Sequence, residues 1–281
     1  MDKNEKANVK VDLDRYRIKP GSKVNLGDRT TDDGDGLVDK AAARKAFEAA
    51  RASVVDMQEK LYAEGEQSVL LVLQAMDTAG KDSTIRKITE GINPQGCHVY
   101  SFKVPSVNEL ARDFLWRVHN QVPRKGHIGI FNRSHYEDVL VVRVKQFAPA
   151  ELIEKRYDHI NAFERLLVDH GTRVVKVMLH VSKEYQLTRL RRRLERPEKQ
   201  WKFNPGDLKE RARWDDYMSA YELMLERCST AHAPWYVVPA EKRWYRNLLV
   251  SRILLETMQE MDPQMPDLSY DPADYPPESL V

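Results

Sequence analysis

The chain has 281 residues, 45 basic against 43 acidic, with 42% hydrophobic and 31% charged side chains, a balance that excludes a disordered tail protein. A chain of this length buries about 75% of the surface it exposes when unfolded, so it needs no disulfide or structural metal; its two cysteines, Cys97 and Cys228, show no CxxC spacing and are expected to be reduced. A net charge of +2 is too small to attract nucleic acid over the whole surface, so any anion site must be local.

Residues 1–36 are rich in Lys, Asp, Gly and Thr and read as a partly extended N-terminal arm that lies over the body or stays mobile. Met1 to Lys10 lacks an apolar signal segment, and no run approaches the roughly 18 apolar residues of a membrane span. A cytoplasmic protein without membrane or nucleic-acid partners is therefore expected. Asp32-Asp-Gly-Asp-Gly36 invites a calcium reading, but the EF-hand spacing and its distal Glu are missing, and a solvated turn is expected instead. Apolar residues recur at helical spacing from Leu37 to Glu64, where Gly65 suits the stop. Ser68 to Gln74 is a short, continuous run of β-formers, the pattern of a strand buried on both faces of a parallel sheet.

Gly80 to Gly91 reads as helix, Asn93 to Gly96 as a turn and Cys97 to Lys103 as a second strand. Ser106 and Glu109 form a capping box that opens a helix running to about Gln121. Ile128–Phe131 and Val139–Val144 are further apolar runs. Pro149–His170 reads as helix, Arg173–Val181 as the longest strand, and another helix begins near Ser182. A polar stretch to Pro205 precedes a long helix from about Asp207 to Cys228, then a strand at Trp235–Val238 and a closing helix at Glu241–Met261. Residues 263–281 form a Pro-rich extended tail. Trp201, Phe203, Trp214, Tyr217, Tyr221, Trp244 and Tyr245 are expected to pack the lid and closing helices, with base stacking as the alternative, and His98, His119, His127, His135 and His159 lack metal-ligand spacing. The alternation predicts a three-layer α/β/α fold with a mostly parallel sheet, whose ligands bind beyond the carboxyl ends of the strands.

Three segments at such positions carry chemistry. Ala75-Met-Asp-Thr-Ala-Gly-Lys-Asp-Ser-Thr84 is close to the phosphate-binding GxxxxGK[ST] loop, in which backbone N–H groups, a helix N-terminus and a lysine surround a phosphate. Ala79, Gly80, Lys81, Asp82 and Ser83 are the candidate phosphate contacts. Ala75 replaces the first Gly and Asp82 the hydroxyl residue that ligates magnesium, which leaves Asp77 as the nearest carboxylate for the metal. Asn132-Arg-Ser-His-Tyr-Glu-Asp138 follows the third strand. There Arg133 can neutralise a transferred phosphoryl group and a carboxylate can hold metal, or Asn132 or Ser134 can simply cap a helix with Glu137 completing the box. Arg189, Arg191, Arg192, Arg193, Arg196, Lys199 and Lys202, against Glu195 and Glu198, read either as a solvated helix end or as a lid that closes over phosphates.

The strings QAMDTAGKDST, GINPQG, FKVPS, FLWR and GIFNRSHYEDVLVVRV together resemble the family-2 polyphosphate kinases, and RPEKQWKF resembles their lid, over about residues 10 to 262. The resemblance implies a thymidylate-kinase-like P-loop kinase domain at 37–262 with a helical lid at about 190–215. It further implies magnesium, or manganese in its place, and transfer of a terminal phosphoryl group between inorganic polyphosphate and a nucleotide by a homo-oligomer, dimer or tetramer. By position, Asp77 matches the family's metal-binding loop aspartate, Lys81 its phosphate-holding lysine, Arg133 the arginine at the third strand's end and Arg193 a lid arginine. The first two classes usually have Asp at 132 and Asn at 137. Asn132 with Glu137 resembles class III, which accepts nucleoside mono- and diphosphates, and makes Glu137 the second metal carboxylate. Lys103, Arg117, Arg124, Lys125 and Lys202 are candidates for guiding the long anion. An ATP-dependent nucleoside monophosphate kinase and a non-catalytic P-loop binding module are the rival readings.

Overall fold

The computed structural model describes residue 9, residues 11–34, residue 36 and residues 39–276. Parts of the expected arm (residues 1–8, 10 and 35), the expected helix start at Leu37 and the end of the tail (277–281) lie outside the described residues. Helix α1 (Lys40–Glu64) is capped at its start by Asp39, which accepts from Ala41 N, and stopped by Gly65 at φ 68°. It leads into β1 (Ser68–Ala75), every residue of which is buried. The loop after β1 opens α2 (Lys81–Ile88), and β2 (Cys97–Ser101) and β3 (Ile128–Asn132) follow. Next come α5 (Val141–Lys145), α6 (Ala150–Asp169), β4 (Thr172–His180) and α7 (Lys183–Leu194), the last capped by Ser182. The chain closes through α8 (Pro197–Gln200), α9 (Gly206–Ala212), α10 (Trp214–Cys228), β5 (Trp235–Pro239) and α11 (Arg243–Met261). Helices α3 (Val107–Leu110) and α4 (Trp116–His119) lie between β2 and β3.

The five strands form one parallel sheet in the order β2-β3-β1-β4-β5, with Leu73 opposite Asn132 and Ala75 opposite Leu179. After β3 the chain crosses β1 to the other side, so the strand order reverses at β1. In an open α/β sheet a ligand crevice forms at the carboxyl end of such a point. Helices α1, α2 and α11 pack on one another, as do α5, α6 and α10, and the apolar core fills the space between helices and sheet.

Several expected elements differ in detail. The capping box of Ser106 and Glu109 is present, but the helix ends after one turn, because Asp113 Oδ1 accepts from Leu115 N and Trp116 N and restarts the chain as α4. The helix expected from Asp207 to Cys228 is broken at Arg213 (φ −101°, ψ 26°). The apolar run at Val139–Val144 becomes α5, ended by Gln146 at φ 55°. Trp201 is 78% exposed rather than packed, its indole donating to Glu198 O and lying beneath the Lys202 ammonium. The arm folds against β5, with Ile18 N donating to Trp235 O and Val237 N to Tyr16 O, which covers an otherwise open sheet edge.

Candidate active site

The loop from Met76 to Gly80 makes its turn with two residues at positive φ, Thr78 (69°) and Gly80 (107°). A β-branched residue in that region costs energy and marks a site where the surroundings impose the conformation. Thr78 Oγ1 is also buried without a hydrogen-bond partner among the described residues, so the loop holds a polar group ready for a ligand. Lys81 opens α2 with its side chain buried and its ammonium donating to Ala75 O at 2.8 Å. Burial pushes its pKa down, while the Asp77 carboxylate works in the opposite direction. Asp82 Oδ1 accepts from Asn132 Nδ2 at 2.8 Å, which ties the loop to the end of β3.

Arg133 extends the β1–β3 ladder one step beyond the strand through Arg133 N to Leu73 O, then turns the chain at φ 63°. Its guanidinium meets Asp77 Oδ1 at 2.8 Å and Glu137 Oε2 at 3.9 Å. Burial lowers its pKa, but Glu137 and Asp77 outweigh that effect and hold it above its usual value. Behind this turn lies a fully buried network. Lys176 donates to Glu164 Oε2 (2.5 Å), Tyr136 OH (2.8 Å) and Cys228 O (2.6 Å); Tyr136 OH donates to Glu164 Oε1, and His135 Nε2 lies 3.2 Å from the same oxygen. His135 and Tyr136 immediately follow the Arg133–Ser134 turn, so the network fixes the backbone that carries Arg133 and Glu137.

Helix α7 closes the crevice from the other side. Gln186 Nε2 donates to Asp77 O, and Arg193 Nη1 binds Asp207 Oδ2 at 3.0 Å and Lys202 O at 3.1 Å. From the start of α11, Arg246 reaches under the loop, donating to Ala79 O at 3.1 Å and Ser83 Oγ at 3.0 Å. Burial, with Arg243 and Arg189 adding, pushes its pKa down to about 10. Burial and then Arg243 likewise lower that of Arg189. Together these groups line a cleft of about 530 Å³ in which nine cationic side chains face only Asp77 and Asp82.

Of the candidates read from the sequence, Asp77, Gly80, Lys81, Asp82, Ser83, Arg133, Arg193 and Lys202 line this cleft. Ala79 is buried beneath it, presenting its carbonyl to Arg246. Glu137 touches it through Arg133. Lys103 and Arg117 stand apart, just beyond the carboxyl end of β2, where Arg117 donates to Lys103 O and pairs with Glu109. Arg124 and Lys125 are at the amino ends of the strands, Lys125 pairing with Glu66, on the opposite edge of the sheet from the cleft and so outside it. The sequence reading missed Arg86, Arg243 and Arg246. A signal was available for two of them: Arg243 and Arg246 sit in the first turn of a helix, where the dipole disfavours cations.

Among the described residues no three His, Cys, Asp or Glu side chains cluster as a metal cage. Asp77 and Glu137 offer hard carboxylate oxygens at the loop, and Arg133 occupies only Oδ1 of Asp77. That sparse, all-oxygen set fits magnesium, which keeps several waters and takes one or two carboxylates together with substrate phosphates.

Residues 37–266 match the family model described as Polyphosphate kinase 2 (PPK2). The chain is 52% identical over 255 residues to an AMP/ADP-polyphosphate phosphotransferase of Meiothermus ruber, covering 90% of this chain and 96% of that one. It is 42% identical over 271 residues to an ADP-polyphosphate phosphotransferase of Rhodopseudomonas palustris, covering 92% and 94%. Among solved structures, Polyphosphate Kinase 2 from Arthrobacter aurescens TC1 superposes with a TM-score of 0.90 at 42% identity, over 93% of this chain and 94% of that one.

Proposed function

Because the chain belongs to the polyphosphate kinase 2 family, we propose that it transfers the terminal phosphoryl group of inorganic polyphosphate to nucleoside mono- and diphosphates, reversibly. The observation that carries this reading is the cleft at the end of β1, where nine cations converge with only Asp77 and Asp82 in the lining and, among the described residues, only Arg133 and Arg193 find further acids, Glu137 and Asp207, behind it. So many like charges gathered in one crevice call for a polyanion.

The acceptor is an ionised phosphate oxygen, so its attack on the terminal phosphorus releases no proton and requires no general base. The new P–O bond forms as the bridging P–O bond breaks, and the shortened polyphosphate leaves with the electron pair. Catalysis is then positioning and charge neutralisation. Loop amides from Gly80 to Ser83 and the Lys81 ammonium hold phosphate oxygens, while the Ala79 amide closes the turn on Met76 O. Arg133, its guanidinium held by Asp77 and Glu137, faces the group in transfer. Arg193 and Lys202, joined through the Lys202 carbonyl, bring further positive charge from the segment at about 190–215, which acts as a lid. Asp77 and Glu137 would hold magnesium or manganese, and the bound ion would neutralise phosphate oxygens during transfer. Lys103 and Arg117, beyond the carboxyl end of β2 and outside the cleft, are the candidates for guiding the long anion.

Acceptance of both AMP and ADP rests on Asn132 paired with Glu137 and on the name of the Meiothermus ruber relative. A cytoplasmic homo-oligomer, dimer or tetramer, belongs to the same proposal; light scattering on the purified chain gives its mass. The decisive experiment is chromatography of products from AMP and from ADP, each incubated with polyphosphate and magnesium. ADP and ATP are expected. Turnover with ATP as donor but none with polyphosphate would establish the nucleoside monophosphate kinase reading instead, and tight binding without product the binding-module reading.

A further inference from the structure

A second cavity, of about 700 Å³, opens next to the cleft and shares Arg243 with it. It lies between the first turns of α1, the first turn of α11 and the end of α2. Five cations line it, Lys40, Arg44, Lys87, Lys242 and Arg243, with Trp244 among them, against the two carboxylates of Glu48 and Glu241. Both acids are already engaged: Glu48 pairs with Arg51, and Glu241 accepts from Ser182 N at 2.9 Å. Lys87 and Lys242 have partners in Glu90 and Asp32. The side chains of Lys40, Arg44 and Arg243 make no ion pair among the described residues.

Lys40 and Arg44 are four residues apart on the same face of α1, where like charges repel, and they occupy its first turns, where the helix dipole disfavours cations. Arg243 has the same problem at the start of α11. These costs are relieved by an anion that follows the row. From the loop, Arg246 leads to Arg243, which belongs to both cavities, and Arg243 to Arg44 and Lys40, so the cationic lining is continuous. We infer that this second cavity is a distal subsite for the polyphosphate chain, engaged only by chains long enough to pass Arg243, and that it sets the enzyme's preference for chain length. The inference rests on polyphosphate being the donor.

The test is the double variant Lys40→Gln/Arg44→Gln, compared with the parent for long-chain polyphosphate and for the shortest chain that the parent turns over. Both side chains are exposed and make no ion pair among the described residues, so the fold should persist, which thermal unfolding checks. Two partly solvated charge contacts correspond to about a five- to tenfold rise in KM for the long chain. The expected result is that rise, with kcat and the short-chain KM unchanged. A second double variant, Lys60→Gln/Lys155→Gln, removes the same charge from exposed positions outside both cavities and should leave the long-chain KM within about twofold. Equal changes for long and short chains, no change for either, or an equal rise in the second variant would each overturn the subsite. A parent that makes no product from polyphosphate would instead overturn the donor assignment.

Discussion

Replacing Gly80 by alanine tests whether the loop and Arg246 are built around one another. Gly80 has φ +107°, and a Cβ there would stand 2.1 Å from Arg246 Nη1, 3.0 Å from its Cζ and 3.2 Å from Ser83 Oγ. Arg246 cannot swing aside cheaply. It is 2% exposed and held by Ala79 O, Ser83 Oγ and Asn247 Oδ1. The backbone strain of a left-handed alanine costs about 1–2 kcal/mol. Displacing a buried guanidinium from its acceptors adds about 2–3 kcal/mol. The sum, about 3–5 kcal/mol, lowers Tm by roughly 5–9 °C for a chain of this size. In an Arg246→Ala background the collision disappears and only the strain remains, so the same glycine change should cost about 1–2 kcal/mol. The double-mutant cycle, measured by denaturant unfolding, should therefore give a coupling of about 2 kcal/mol. Equal costs in the two backgrounds would show that Arg246 does not support the loop. Phosphoryl transfer should fall in Gly80→Ala in either background, since the loop amides lose their arrangement.

Asp77→Asn should keep Tm within about 2 °C, because the half-exposed pair with Arg133 contributes at most about 1 kcal/mol. Product formation should fall by about 100-fold or more; normal turnover by the folded variant would remove Asp77 from the metal assignment. Lys176→Met leaves Glu164 buried without its cation and should cost about 3–5 kcal/mol, and adding Glu164→Gln should restore part of that in denaturant melts. Burial raises the Asp138 carboxyl to about 6, with Arg156 pulling the other way. The folded protein therefore keeps a proton that the unfolded chain releases near pH 4. Asp138's favourable share is fully present below about pH 4 and is lost as pH rises through about 6, an effect of up to about 3 kcal/mol. Asp138→Asn should flatten the stability profile in that window; parallel profiles for variant and parent would refute the assignment.

What was legible in the sequence was what local chemistry imposes. The continuous apolar run of β1 could only be a strand buried on both faces, and the loop after it had to sit at the carboxyl edge of the sheet. Ser106 and Ser182 announced their helix starts by side-chain chemistry alone. The lost details depend on competition at longer range. Periodicity carried a helix past Asp113, whose side chain captured two backbone N–H groups and reset it. Arg246 read as one more helix residue, because nothing in the sequence shows that α11 starts beneath the phosphate loop. His135 read as incidental, since its partners Glu164 and Lys176 come from α6 and β4 and meet it only in the folded chain.

The two departures from the usual phosphate loop have a physical explanation in the fold. A glycine is favoured where the backbone must take positive φ, and here the positive angles fall at Thr78 and Gly80, whereas Ala75 is the last regular residue of β1, in register with Leu179 of β4. Alanine at 75 therefore weakens the motif only as a pattern of letters. Asp82, where a hydroxyl ligand would be expected, accepts a hydrogen bond from Asn132 and so joins the loop to β3. Asp77, in the same loop, is instead held through Oδ1 by Arg133 from beyond β3. Asn132 and Asp82 thus form one structural pair, while Asp77, Glu137 and Arg133 form a second group joined through the guanidinium. Asn132 ends β3, and Glu137 stands in the 3-10 turn that follows, its carboxylate on the same guanidinium as Asp77.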